Sequence, residues 1–153
     1  RIGPMADTSL RAVVLAELEI WTVAAASYLD RHGIPRHPSE LMRHEWIGFS
    51  LLPSPWSMAY ERKGRKVRVR LRGSVTAASN DAVLHLVKHG AGIAAFPGTA
   101  DLRSEVAAGR LVRLFAGWNT DRMFLHAAYP GSTALPAKTR AFIDLAKEAV
   151  KSE

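Results

Sequence analysis

Short apolar segments recur along the 153-residue chain, and Gly, Pro or polar turn residues separate them. Short segments that are continuously apolar, or that alternate between apolar and polar side chains, are typical of β-strands. The segments that fit are 18–24, 46–49, 56–61, 66–72, 74–77, 92–96, 111–115 and 123–129.

Other segments show the residues that start and stop helices. Ser, Thr, Asn or Pro stands where each one begins, and a glycine follows several of them. The predicted helices cover 27–32, 38–44, 79–89 and 99–108, and a last one starts at Pro136 with apolar residues at helical spacing. Strands and helices therefore alternate, which favours an α/β fold.

Residues 66–72 alternate strictly between cationic and apolar side chains. In a strand, that order puts the apolar side chains on one face and the cations on the other. Segment 56–61 comes before it, and Lys63-Gly64 can form the turn between the two. We therefore predict a β-hairpin with one buried face and one basic face.

The net charge of the chain comes from this hairpin. Residues 62–72 contain seven cations and no acid, which equals the net charge of +7. The solvated face of an ordinary sheet is one explanation of this segment. A ribbon that binds phosphate groups electrostatically and a contact for an acidic partner are the alternatives.

Composition excludes several classes of protein. Hydrophobic residues at 48% and charged residues at 23% are ordinary for a globular domain, which excludes disordered and fibrous chains. No apolar run is long enough to span a membrane, and residues 1–4 do not resemble part of a signal peptide. The absence of cysteine excludes disulfides, thiolate metal sites and cysteine nucleophiles. We expect a cytoplasmic protein with no membrane contact.

The sequence shows no catalytic or cofactor motif. His85 and His89 stand four residues apart on a predicted helix and could share a metal ion, but two surface histidines are the simpler interpretation. Gly90-Ala91-Gly92 precedes a strand, whereas a phosphate-binding loop of this type opens a helix. A nucleophile elbow and a Walker lysine are also missing. We expect neither enzymatic activity nor a bound metal or cofactor.

Ser79 and Asn80 lie where a predicted strand passes into a helix. Free backbone N–H groups at such a junction attract anions, and ligands of open α/β sheets bind at the carboxyl ends of strands. Helix capping would explain the same two residues equally well. An anion site and a simple cap are therefore both open at this position.

Short motifs are spread in order along nearly the whole chain. The early ones are Arg1-Ile2-Gly3-Pro4, Asp7-Thr8-Ser9-Leu10 and Tyr28-Leu29-Asp30-Arg31-His32-Gly33-Ile34-Pro35. The later ones are Ser79-Asn80-Asp81, Gly90-Ala91-Gly92-Ile93-Ala94-Ala95-Phe96-Pro97, Gly109-Arg110-Leu111-Val112, Tyr129-Pro130 and Leu135-Pro136-Ala137-Lys138-Thr139-Arg140-Ala141-Phe142-Ile143-Asp144. The ordered set resembles the effector-binding domain of LysR-type transcriptional regulators.

The resemblance implies an α/β fold of the type 2 periplasmic-binding-protein class, in which two crossover strands join two lobes and a small effector binds in the cleft. On this chain, 24–96 would form the complete second lobe, and 1–23 with 97–153 would form part of the first lobe. The crossovers would fall near 23–25 and 95–97. The winged helix-turn-helix that binds DNA in the family is absent from these residues.

The resemblance also implies an effector site. The residues that we expect to bind the effector are Ser79, Asn80, Phe96, Pro97 and Phe49. The chain departs from the family at Ala24-Ala25-Ala26, where Ala-Ser-Pro is usual, so a hydroxyl that can face the cleft and a rigid turn are missing.

The implied function is effector sensing and oligomerisation in a bacterial transcription regulator. A small organic anion or aromatic acid would alter DNA binding in a homodimer or homotetramer, and DNA would be bound only through the missing N-terminal domain. The alternatives are a solute-binding domain for transport and a basic nucleic-acid-binding module centred on residues 62–72. The module would retain duplex DNA with a steep salt dependence, and we expect no retention at physiological salt.

Overall fold

The computed structural model describes residues 10–130 and 136–151, so the motif residues 1–9 and Leu135 lie outside the described residues. The chain forms two compact units, one of residues 1–18 and 122–153 and the other of residues 19–121. The expected lobe boundaries lie instead between residues 23 and 24 and between 96 and 97. The assignment of residues to lobes stays a prediction.

Strands and helices alternate along most of the described chain, as predicted. The strands are β1 (Leu10–Leu18), β2 (Ile20–Ala25), β3 (Glu45–Phe49), β4 (Ser57–Arg62), β5 (Arg65–Arg70), β6 (Arg72–Ala77), β7 (Ile93–Pro97), β8 (Leu111–Leu114), β9 (Asn119–Thr120) and β10 (Met123–Pro130). The helices are α1 (Ala26–His32), α2 (Asn80–Lys88), α3 (Ala100–Ala107), α4 (Ala137–Lys151) and a 3₁₀ helix, Pro38–Arg43.

The larger unit is built on a five-stranded sheet with the strand order β6-β3-β7-β2-β8. In this central sheet, β3 runs parallel to both β6 and β7, and β2 runs antiparallel to β7 and β8. The expected crossover segments therefore lie in neighbouring strands, where Val23 pairs with Ala94. A second sheet, of order β5-β4-β9, contains the basic hairpin. In the smaller unit, β1 pairs with β10, and α4 contacts β1.

The inner strands β3, β7 and β2 of the central sheet are largely buried on both faces, whereas β6 at its edge is mostly exposed. Successive residues of one strand alternate between the two hydrophobic clusters, since Trp46 belongs to one and Ile47 to the other. The cluster around Trp46 includes residues of the hairpin and of α1, such as Tyr60 and Tyr28. The cluster around Ile47 includes residues of α2 and α3. The larger unit therefore has three layers, with the central sheet in the middle.

The hairpin has the two faces that the alternation predicted. Val69 and Leu71 are 2% and 4% exposed, whereas the cations that alternate with them are exposed. The predicted strand 66–72 is nevertheless divided at Leu71, whose backbone N–H donates to the carbonyl oxygen of Trp56 at 2.9 Å. Residues before this point pair with β4, and residues after it pair with β3 of the central sheet.

Candidate functional site

The predicted effector-binding residues converge on one edge of the central sheet. Phe49 ends β3 and pairs with Ala77 at the end of β6, and the next N–H, of Ser50, donates to the Ala77 carbonyl at 3.0 Å. Because β7 is parallel to β3, its last residue, Pro97, points to the same edge. Neighbouring strands lie about 4.8 Å apart. The structure therefore brings together the ends of all three strands, which we call the carboxyl edge.

Ser79 and Asn80 stand between the end of β6 and the body of α2. Ser79 has the extended backbone of a helix N-cap, and its carbonyl accepts the first helical hydrogen bond, from Val83, at 3.1 Å. Its side chain accepts no capping hydrogen bond. The side chains of both residues are exposed at the carboxyl edge. The N-cap position was therefore predicted correctly, and within the part of the chain that the structure describes the Ser79 hydroxyl is not used to cap α2.

The three apolar candidates differ in exposure. Phe96 is 5% exposed and packs in the hydrophobic cluster against α2 and α3. Phe49 is half-buried and packs on the same cluster, and Pro97 is also half-buried. Phe96 therefore belongs to the core below the carboxyl edge, and Phe49 and Pro97 reach its surface. A contact of any of the three with an effector stays a prediction.

An aromatic and charged cluster at the carboxyl edge was not predicted from the sequence. Trp21 pairs with Phe96, and its indole N–H donates to the Glu19 carboxylate at 3.0 Å. Arg113 donates to the same carboxylate oxygen at 3.2 Å, and its guanidinium carbon lies 3.9 Å from the centre of the indole. The indole hydrogen bond and the charge of Arg113 lower the pKa of Glu19, so the carboxylate is ionised at neutral pH.

A second cation flanks the same indole. The Arg103 guanidinium carbon lies 5.5 Å from the Trp21 ring centre, and its Nε donates to the Gly98 carbonyl at 3.0 Å. The two arginines come from α3 and β8, which are remote in sequence from Trp21, so no local pattern indicates the cluster. The spacing of Glu19 and Trp21, which are two residues apart, is the one local sign of this cluster in the sequence. At the carboxyl edge, beside the predicted site, the Trp21 indole therefore contacts the guanidinium groups of Arg103 and Arg113.

His85 and His89, which stand four residues apart in the sequence, lie close together at the end of α2. The rings of His85 and His89 lie 4.2 Å apart, and His89 Nδ1 contacts the His85 carbonyl at 2.8 Å. Within residues 10–130 and 136–151, no group of three or more His, Cys, Asp or Glu is arranged to hold a metal ion. None of the helices in the same part of the chain is both long and apolar enough to cross a membrane.

At Ala24-Ala25-Ala26, the departure from the family pattern has a local consequence. Ala25 is the N-cap residue of α1 and makes no side-chain capping hydrogen bond. A serine or threonine in an N-cap position can accept such a bond. This chain therefore lacks a hydroxyl at the N-cap position of α1.

Comparisons with known proteins agree with one another. The family model of the LysR substrate binding domain matches residues 1–151. The chain is 38% identical to the HTH-type transcriptional regulator PtxR of Pseudomonas aeruginosa over 150 residues, which are 97% of this chain and 47% of that protein. It is 28% identical to the HTH-type transcriptional activator AaeR of Escherichia coli, with 94% of this chain and 46% of that protein covered. The chain thus spans about half the length of these relatives.

Solved structures give the same result. The regulatory domain of CrgA, a LysR-type transcriptional regulator from Neisseria meningitidis, matches with a TM-score of 0.82 and 26% identity over 97% of this chain and 72% of that one. Full-length AphB, the Vibrio cholerae virulence activator, matches with a TM-score of 0.77 and 28% identity over 98% of this chain and 50% of that one. The predicted fold class, type 2 periplasmic-binding-protein-like, is confirmed. The chain belongs to the LysR substrate-binding domain family.

Proposed function

We propose that this chain is the effector-sensing part of a LysR-type transcriptional regulator, and that its effector binds at the carboxyl edge. The observation that supports this most directly is the convergence of Phe49, Ser79, Asn80 and Pro97 on that edge. Ligands of open α/β sheets bind outside the carboxyl ends of the strands. The similarity to the CrgA regulatory domain supports the regulatory role.

The local chemistry favours a small organic anion or an aromatic acid as the effector. The first turn of α2 has free backbone N–H groups, and the Ser79 hydroxyl and Asn80 amide beside them are exposed and can donate hydrogen bonds. Phe49 and Pro97 supply half-buried apolar surface for the body of the ligand. An anionic head and an apolar body would therefore both find partners at the carboxyl edge.

Effector binding would act through linkage. A ligand shifts the balance between two arrangements of a regulator only as far as its affinities for the two differ. In the longer protein, we propose that this shift changes how DNA is held by an N-terminal domain, within a homodimer or homotetramer. Such a regulator works in the compartment that holds bacterial DNA, which is the cytoplasm. The transcriptional regulators among the relatives favour this account over solute transport and over catalysis.

The test compares Asn80→Ala with Asn119→Ala, which removes an exposed amide from β9 in the other sheet. Thermal shift with benzoate, succinate and phosphate would first select a binding anion, and calorimetry would then measure its affinity. We expect Asn80→Ala to weaken binding about tenfold and to lower the unfolding free energy by no more than about 1 kcal/mol. Asn119→Ala should leave the affinity unchanged. An unchanged affinity in folded Asn80→Ala would remove Asn80 from the site.

A further inference from the structure

The outward face of the hairpin presents a row of cations, which we call the basic row. Lys66, Arg68 and Arg70 lie on the same face of β5, because they alternate with side chains that pack in the core. Cross-strand pairing sets them opposite Glu61, Ala59 and Ser57 of β4, respectively. Two of the three cations thus face small, uncharged neighbours. Arg72 continues the row at the start of β6 and is also exposed.

Most of the positive charge in the basic row is not neutralised. Glu61 pairs with Lys66 at 3.6 Å. Among the residues that the structure describes, no ion pair includes Arg68, Arg70 or Arg72. Residues two apart in a strand are separated by about 6.6–6.8 Å, so the Cα atoms of Lys66, Arg68 and Arg70 repeat at that interval along β5. A row of this kind suits a polyanion better than a single small anion.

The basic row is also open on both sides of Arg70. A depression of about 590 Å³ is lined by Arg68, Arg70, Trp56 and the two prolines of the preceding loop. A second depression, of about 600 Å³, is lined by Arg70, Arg72, Trp56 and Glu45, among others. The Glu45 carboxylate in the second depression already accepts hydrogen bonds from the Ser74 N–H and hydroxyl, both at 2.6 Å.

Trp56 lines both depressions and packs closely on two glycines. A Cβ atom on Gly48 or Gly73 would lie 3.3 Å or 2.9 Å from the Trp56 ring. A side chain at Gly73 would overlap the indole, and one at Gly48 would touch it tightly. Arg70 and Trp56 therefore line both depressions together.

We propose that the basic row is an auxiliary surface for the phosphate backbone of duplex DNA. This goes beyond the proposed effector site, which lies at another edge and involves none of these residues. The relatives are transcriptional regulators about twice as long as this chain, so DNA is a polyanion that such proteins meet. Guanidinium groups bind phosphate in a bidentate manner. A contact that is weak alone becomes effective when another part of the same polypeptide holds the duplex, because the effective concentration is high.

The experiment measures binding of the 153-residue chain to a fluorescent 20-base-pair duplex of arbitrary sequence by anisotropy, from 20 to 150 mM NaCl. Three unpaired arginines predict a slope of log affinity against log salt of about −2.7, so the affinity should fall about 200-fold across this range and be undetectable at its upper end. The double variant Arg68→Ala and Arg70→Ala should reduce the slope by about 1.8.

A matched control variant shows whether duplex binding depends on the basic row or on the net charge of the chain. The double variant Arg36→Ala and Arg43→Ala removes two exposed cations from the region of the 3₁₀ helix and gives the same net charge. Its slope should equal that of the parent chain. The single variant Ala59→Glu keeps every arginine, sets an acid opposite Arg68, and should weaken duplex binding at least threefold. Far-ultraviolet circular dichroism would confirm that each variant is folded.

Two results would overturn the proposal. Equal losses in the two double-arginine variants would mean that overall charge, and not the basic row, binds DNA. Tighter binding of a poly-glutamate peptide than of a duplex of matched charge would identify an acidic polypeptide as the partner. A duplex preference that Arg68→Ala and Arg70→Ala abolish, and that Arg36→Ala and Arg43→Ala leave intact, would support it. None of these results depends on the effector or on Asn80.

Discussion

The Thr22 hydroxyl and the Tyr60 hydroxyl share a buried hydrogen bond of 2.8 Å. Thr22 lies in β2 of the central sheet and Tyr60 in β4 of the hairpin sheet, and each is 2% exposed. The Tyr60 ring also meets Phe115 edge-on, with 5.5 Å between ring centres. Each hydroxyl is thus the polar partner of the other at the place where the two sheets meet.

Removing both of these hydroxyls should cost less than the sum of the losses from removing each one alone. Tyr60→Phe leaves the Thr22 hydroxyl buried without its partner, and we expect the unfolding free energy to fall by about 1–3 kcal/mol. Thr22→Val should lower it by a similar amount. The double variant should cost clearly less than the sum, because no polar group is then left unpaired. Urea unfolding of the four proteins measures the coupling, and additive losses would show that the hydroxyls do not depend on each other.

The same pair predicts a loss of stability in alkali. Burial raises the pKa of Tyr60 to about 12, although the Thr22 hydrogen bond acts in the opposite direction. The folded state therefore keeps the phenolic proton at a pH where the unfolded chain, with a pKa of about 10, has lost it. This contribution is complete below pH 10 and is lost as the pH rises towards 12. The fall in unfolding free energy over that range should be smaller in Tyr60→Phe than in the parent chain.

Most of the fold follows from local patterns in the sequence. The helices begin and end close to the predicted positions because their caps and glycines are local signals, as at Thr99 and Gly109. The strand β1 was not predicted, since its sequence, LRAVVLAEL, does not alternate and contains helix-favouring residues. A register irregularity between Val14 and Ala16 interrupts the period, and its partner β10 lies more than 100 residues away. The segment therefore forms a strand because it pairs with β10 in the folded chain, and not because of a local pattern.

The candidate site was predictable only in part, for a related reason. Ser79 and Asn80 are marked by a local strand-to-helix junction, which a single segment can show. The contacts of Trp21 with Arg103 and Arg113 depend on three segments that meet only in the folded sheet. Phe96 was expected at the site, and the structure places it in the core below the carboxyl edge. The sequence does not show whether an apolar residue near a strand end faces the core or the surface.

The two N-cap residues of α2 and α3 should respond differently to the loss of their hydroxyls. The Thr99 hydroxyl accepts a hydrogen bond from the Leu102 N–H at 3.4 Å, whereas Ser79 makes no such bond. We expect Thr99→Ala to lower the unfolding free energy by about 1 kcal/mol and Ser79→Ala by only a few tenths. Chemical denaturation gives both values. A larger loss in Ser79→Ala would mean that the hydroxyl caps α2 after all, and the argument that it is free for a ligand would fail.

Gly73 is a position where the backbone leaves no room for a side chain. A Cβ atom there would lie 1.8 Å from the Trp46 carbonyl oxygen and 2.9 Å from the Trp56 ring. The carbonyl belongs to β3, which pairs with β6, so it can move only if the two strands separate. We expect Gly73→Ala to lower the unfolding free energy by about 3 kcal/mol or more.

A matched substitution at Gly117 shows whether steric overlap is the cause. The three atoms nearest to a Cβ atom at Gly117 would all belong to the Arg62 side chain, at ordinary contact distances of 3.8–3.9 Å. Gly117 does not have the positive φ that favours glycine, so Gly117→Ala should change the unfolding free energy by less than about 1 kcal/mol. Because Trp56 packs against Gly73, Gly73→Ala should also disturb the near-ultraviolet circular dichroism. A loss in Gly73→Ala as small as the one expected for Gly117→Ala would mean that β3 and β6 can separate at little cost, contrary to the packing described for this sheet.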